Sequence, residues 1–106
     1  MVKVYIASPY SIGDQQANVD RSFAVANTLI DYGFAPYCPL YGHYLHLKKQ
    51  RDWNTWMQLD TDWILACDCL LRVSGESSGA DMEVRFALDH DIPVFFNLDQ
   101  LIAKYT

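Results

Sequence analysis

Apolar positions change their period along this chain, and each change marks an element. Val2-Lys3-Val4-Tyr5-Ile6-Ala7 is β-rich, almost continuously apolar, and stops at Ser8-Pro9. That pattern predicts a buried first strand. Ser11 to Gln16 reads as loop. Val19, Phe23, Ala26 and Ile30 then recur at helical spacing, which predicts a helix from about Asn18 to Tyr32, with Gly33 suited to the C′ position. Phe34 to Cys38 reads as a second short strand. Pro36 and Pro39 favour a sheet edge for it, because proline supplies no ladder donor. Leu40 to Arg51 is aromatic, His-bearing and irregular, a loop or a broken helix. Asp52 can cap a helix from Trp53 to about Ala66, with Trp56, Leu59, Trp63 and Ala66 on one side. Cys69 to Val73 reads as a third strand, Ser74 to Gly79 as a small-residue loop, and Ala80 to His90 as a helix. Pro93 to Phe96 is a fourth strand and Leu98 to Lys104 a final short helix.

Strands that alternate with helices throughout predict an α/β chain: a single Rossmann-like (flavodoxin-like) domain over residues 1–106, with a parallel sheet of four to five strands and helices on both faces. Ligands of such sheets bind beyond the carboxyl ends of the strands. The loops expected there are Ser8 to Gln16, Cys38 to Arg51 and Ser74 to Gly79.

Composition narrows the partners. With 51% apolar residues the chain has the makings of a folded core. The net charge is −5, and eight Lys and Arg are too few to neutralise a long nucleic acid. The one basic cluster, Lys48, Lys49 and Arg51, is equally well explained as a solvated loop. A small anion remains compatible, since a helix N-terminus can hold a phosphate whatever the net charge. No apolar run approaches the roughly 18 residues of a membrane span, and Met1 leads into the first strand without the features of a secretory leader. Cys38, Cys67 and Cys69 lack metal spacing and read as reduced thiols, so a cytoplasmic protein is expected. There is no GxxxxGK[ST] or GxGxxG run, which disfavours a P-loop and a dinucleotide fingerprint.

The residues able to carry chemistry sit in or beside the three loops. Glu83 shares a helix face with Phe86, Ala87 and His90, so its carboxylate is expected near the sheet. A first-turn acid favoured by the helix dipole is the plainer explanation. Asp60 lies in a helix with three tryptophans, where apolar neighbours would tighten its hold on a proton; Asp62 reads as solvated. Ser77, Ser78 and Gly79 precede a helix N-terminus and serve either a phosphate or an ordinary N-cap. Tyr5 lies within the first strand and Tyr10 just past it. His43 and His46 have no clear third ligand, so neither a metal nor a cofactor is expected.

Taken in order, Val4-Tyr5-Ile6-Ala7-Ser8-Pro9-Tyr10, Asp60 with Asp68, Ser77-Ser78-Gly79-Ala80-Asp81-Met82-Glu83 and Ile92-Pro93-Val94 resemble the nucleoside 2-deoxyribosyltransferase superfamily. The small 2′-deoxynucleoside 5′-monophosphate N-glycosidases are the nearest members, together with short bacterial and phage proteins of unassigned activity. The resemblance implies Glu83 as nucleophile, Asp60 as the group that handles the leaving base, and Tyr5 as the orienter of Glu83. It implies Ser8 and Ser77 as holders of a 5′-phosphate. Two departures stand against a phosphate: Ser11-Ile12-Gly13-Asp14 carries an acid where nucleotide hydrolases carry Arg, and Asp81 stands where many relatives have Gly. Arg21 is the candidate to supply the missing charge. An asparagine from a neighbouring subunit completes the transferase site, and Asn97 is nearby in sequence.

Cleavage of an N-glycosidic bond passes through an oxocarbenium-like state. A carboxylate beneath the ring stabilises that charge or forms a glycosyl ester, and a carboxyl of raised pKa protonates the leaving base. Glu83, Asp60 and Tyr5 suit these roles on a small nucleoside or nucleotide, with Ser8, Tyr10, Arg21, His43, Trp56, Ser77 and Gly79 around the substrate. Trp53, Trp56, Tyr41 and His43 either stack on the base or fill core and interface. Water as acceptor gives hydrolysis, and a second base gives sugar transfer. A non-catalytic nucleotide-binding or sensing protein on the same fold is the rival. A receiver-like domain is disfavoured, since the first strand ends in Ser8-Pro9 rather than in clustered acids. A chain this short and 14% aromatic is expected to form a homodimer or higher homo-oligomer.

Overall fold

The computed structural model describes all of residues 1–106. Four parallel strands form one sheet in the order β2-β1-β3-β4: β1 Lys3–Ala7, β2 Ala35–Tyr37, β3 Cys69–Arg72 and β4 Val94–Phe95. Helices α1 (Gln15–Asp31), α2 (His43–Lys48), α3 (Trp53–Ala66), α4 (Ser78–Asp89) and α5 (Leu98–Tyr105) make the crossovers and flanks. Both sheet faces are covered, as near-continuous apolar strands require. Val4, Ile6, Cys69 and Leu71 point to the side of α1 and α5, where they meet Val19, Ala26, Leu29 and Leu101. Tyr5, Ala7 and Leu70 point the other way, against Ile64 of α3 and Ala80 and Ala87 of α4. This is the α/β doubly covered parallel sheet that the alternating pattern predicts, with four strands. No helix is long and apolar enough to cross a membrane.

Element ends follow their caps. Helix α1 starts at Gln15 rather than Asn18, because the Asp14 carboxylate accepts from the Ala17 N–H at 3.1 Å. Its buried face is Asn18, Val19, Ser22, Ala26 and Leu29, and Ile30 is outside. Asn18 is buried because its amide donates to the carbonyls of Tyr10 and Ile12 at 2.9 and 2.8 Å, which fixes the loop after β1. Helix α4 begins at Ser78, capped by the Ser77 hydroxyl accepting from the Ala80 N–H at 3.1 Å. The irregular stretch becomes a 3₁₀ turn, Pro39–Gly42, leading into α2.

One helix face differs from expectation. On α3, Leu59, Trp63 and Ala66 face outward, and the inward side runs through Asp60, Ile64 and Cys67. Ile64 seats the helix on the sheet, and the same face one turn earlier carries a carboxylate toward the cleft. Trp63 is half-exposed and stacks on Tyr37 at 4.6 Å.

The loop after β3 lies hard against the loop after β1. Gly75 has φ +123, and a Cβ there would stand 2.8 Å from the Pro9 ring. Gly75→Ala therefore combines backbone strain with a clash. It is expected to cost about 2 kcal/mol in urea denaturation, more than Gly13→Ala, whose Cβ meets no neighbour.

Candidate active site

A cleft of about 380 Å³ opens beyond the carboxyl ends of β1 and β3, within the usual range for a small-molecule site. The loop after β1 supplies Ser8 and Tyr10. The segment after β2 supplies Leu40, His43 and His46, helix α3 supplies Trp53, Trp56 and Asp60, and the start of α4 supplies Ser77, Gly79 and Glu83.

At its floor the Tyr5 hydroxyl donates to the Glu83 carboxylate at 2.5 Å. Tyr5 is fully buried and Glu83 nearly so. Strand alternation turns Tyr5 toward α3 and α4, and Glu83, in the second turn of α4, faces back to it. Asp60 approaches the same point from α3, near enough to both for their charges to interact. Burial raises the Glu83 carboxyl well above the ordinary glutamate range, and the Asp60 charge raises it further. The Tyr5 hydrogen bond and the more distant Arg72 charge pull the other way. Burial also raises Asp60, opposed by the polar groups of Glu83 and Tyr5 beside it. Two carboxyls this close oppose each other's ionisation, which favours one shared proton. Tyr5 keeps its own proton, because burial and the adjoining carboxylates both oppose a phenolate.

The candidates named from the sequence divide cleanly. Ser8, Tyr10, His43, Trp56, Asp60, Ser77, Gly79 and Glu83 all line the cleft, with Tyr5 directly beneath Glu83. Arg21 does not line it. Its guanidinium donates to Asn18 at 3.3 Å and lies beside Gly75, outside the cleft wall. The geometry corrects the expectation that Arg21 supplies charge to a ligand: three residues past Asn18, it shares the side of α1 that buttresses the loops. The basic residue that does line the cleft is Arg51, set 5.7 Å over the Trp56 ring. Ser8 carries the one buried side-chain polar atom without a partner.

Arg72 was not singled out by sequence reasoning. It is buried at the end of β3, and it donates to Asp81 at 3.0 Å, to the Gly75 carbonyl at 2.8 Å and to the Val73 carbonyl. It ties the loop before α4 to the first turn of that helix. Asp81 is its counter-ion. A cation closing an otherwise apolar strand, nine residues before an acid, was the available signal.

A raised folded-state pKa means that stability is fully present below the ordinary glutamate range and is lost as pH rises through the raised value. Glu83→Gln removes that loss. The variant is expected to be more stable than wild type by about 1 kcal/mol at pH 8, with the gap closing toward pH 4, in urea denaturation at the two pH values.

Comparison with solved structures places this geometry on a known fold. The chain is similar to a 2-deoxyribosyltransferase from the psychrotolerant bacterium Bacillus psychrosaccharolyticus, at 22% identity and a TM-score of 0.67 over 88% of this chain and 69% of that one. It is also similar to a conserved protein from Enterococcus faecalis V583, at 23% identity and a TM-score of 0.72 over 89% of this chain and 61% of that one. The chain thus has a nucleoside 2-deoxyribosyltransferase-like fold. Comparison with curated proteins gives no match. Residues 2–97 match the family described as a domain of unknown function (DUF7768), and the chain belongs to that family.

Proposed function

We propose that the chain cleaves the N-glycosidic bond of a nucleoside or nucleoside 5′-monophosphate. The observation that carries this reading is the buried Tyr5–Glu83 hydrogen bond with Asp60 beside it, at the floor of a cleft with aromatic walls. A site that only binds gains little from two carboxyls kept out of water, since each costs stability. The fold similarity to a 2-deoxyribosyltransferase supports the same chemistry.

In this reading the sugar lies over Glu83 and the base against the side of Trp56 and Asp60. Positive charge developing at the anomeric carbon favours the carboxylate form of Glu83, so the shared proton passes to Asp60. Asp60 gives that proton to the departing base, and the Glu83 carboxylate bonds to the anomeric carbon. Water then attacks that carbon, its proton returns to Asp60, and Glu83 is released. Tyr5 holds the Glu83 rotamer throughout. Ser8, Ser77 and the free N–H groups at the start of α4 suit the oxygens of the sugar's 5′ end. A second base in place of water gives transfer through the same residues. The whole of residues 1–106 acts as one such domain, and the free thiols of Cys38, Cys67 and Cys69 suit a reducing cytoplasm. Leu59, Trp63 and Leu65 leave apolar area bare on α3, which suits self-association into a homodimer or larger homo-oligomer.

The test is chromatographic detection of free base from ribo- and deoxyribonucleosides and their 5′-monophosphates. Wild type is expected to release base, Glu83→Ala to lose at least about 10³-fold in kcat, and Tyr5→Phe to lose on the order of tenfold. Because one proton must stay on the carboxyl pair, kcat is expected to fall as pH rises above the ordinary carboxylate range. No release from any substrate, with or without an acceptor base, would overturn the reading in favour of a nucleotide-binding or sensing role.

A further inference from the structure

His43 and His46 sit one turn apart on α2, both line the cleft, and each is held at Nδ1 by a neighbour. The Trp56 indole N–H lies 3.0 Å from Nδ1 of His46. An indole nitrogen only donates, so this Nδ1 accepts and the ring proton is on Nε2. The Tyr10 hydroxyl lies 2.6 Å from Nδ1 of His43. With the Tyr10 hydroxyl as donor, His43 too carries its proton on Nε2. Neither Nε2 has a protein partner. The Ser8 hydroxyl is the one buried side-chain polar atom left unpaired, so neither Nε2 is shut away from solvent, and both residues line the cleft.

The same wall holds the Trp56 ring, and Asp60 lies one turn further along α3. This flat apolar surface beside a proton donor is where a base fits. We propose that His43 and His46, each fixed in its Nε2–H form, present two hydrogen-bond donors to the base and select it by its acceptors, favouring 6-oxopurines over 6-aminopurines. The inference rests on the nucleoside reading above. A 6-oxopurine offers adjacent acceptors at O6 and N7, whereas adenine places an amino donor beside N7. A donor facing a donor leaves both unpaired in a desolvated site, which costs more than the missing bond.

Two measurements test this. The first is the nitrogen-15 spectrum of the three imidazoles near neutral pH. His43 and His46 are expected to show a protonated Nε2 and a bare Nδ1. His90, whose Nδ1 faces the Phe86 carbonyl at 2.8 Å, is expected to show a protonated Nδ1. A bare Nε2 on both cleft histidines would overturn the proposal whatever the enzyme does. The second is calorimetric binding of inosine and adenosine, as ribo- and 2′-deoxynucleosides and 5′-monophosphates, to wild type and Glu83→Gln. Inosine forms are expected to bind roughly tenfold more tightly. His46→Phe and His43→Phe should erase that ratio, and His46→Gln, which keeps an N–H donor, should retain part of it. Equal affinities with base release intact would overturn this inference alone. A preference for inosine without base release would leave it standing while the glycosidase reading failed. No binding of either base would overturn both.

Discussion

Glu83 can remain buried because Tyr5, on the adjoining strand, donates to it and the nearby Asp60 charge favours its protonated form. A lone ionised carboxylate in this position would cost several kcal/mol, and a hydrogen bond to a charged group returns about 1.5–3 kcal/mol of that. The raised proton affinity of Glu83 relieves the rest. Much of the surrounding structure serves this contact. Alternation along β1 decides that Tyr5 and not Ile6 faces α4, and Ile64 anchors α3 so that Asp60, one turn earlier, falls beside the pair. A shift of register by one residue in β1 would turn the tyrosine to the α1 side and leave Glu83 facing Val4 or Ile6.

Arg72 and Asp81 hold a second layer. The loop between β3 and α4 must put two serines and a glycine at the cleft while leaving few carbonyls stranded in a tight space. One guanidinium accepts that task by donating to two loop carbonyls and to the first turn of α4. Gly75, pressed against Pro9, then links this loop to the one after β1. Two of the three loops that form the cleft are thus in direct contact, and the third, carrying α2, meets them through Tyr10 and His43.

The sheet, the order of elements and most of the cleft residues were legible in the sequence, because they depend on local pattern. The apolar run of β1, the Asp52 cap and the Ser77–Gly79 turn each announce themselves within a few residues. The inward face of α3 was not legible. Periodicity favours the side with Trp63 and Leu59, but the helix spends its inward face on Asp60 for chemistry and leaves the aromatics half outside. Arg21 misled for a related reason: a lone arginine near a cleft looks available until its neighbour Asn18 is seen to be fixed by two carbonyls. The partners of His43 and His46 lie in other elements, so no local window shows them.

The two margins of the sheet are short. Strand β4 has two residues, and β2 has three, of which Pro36 offers no N–H. Neither presents enough free backbone to template another strand. Growth by edge-to-edge pairing, the usual route from small parallel sheets to fibrils, is thereby closed at both ends.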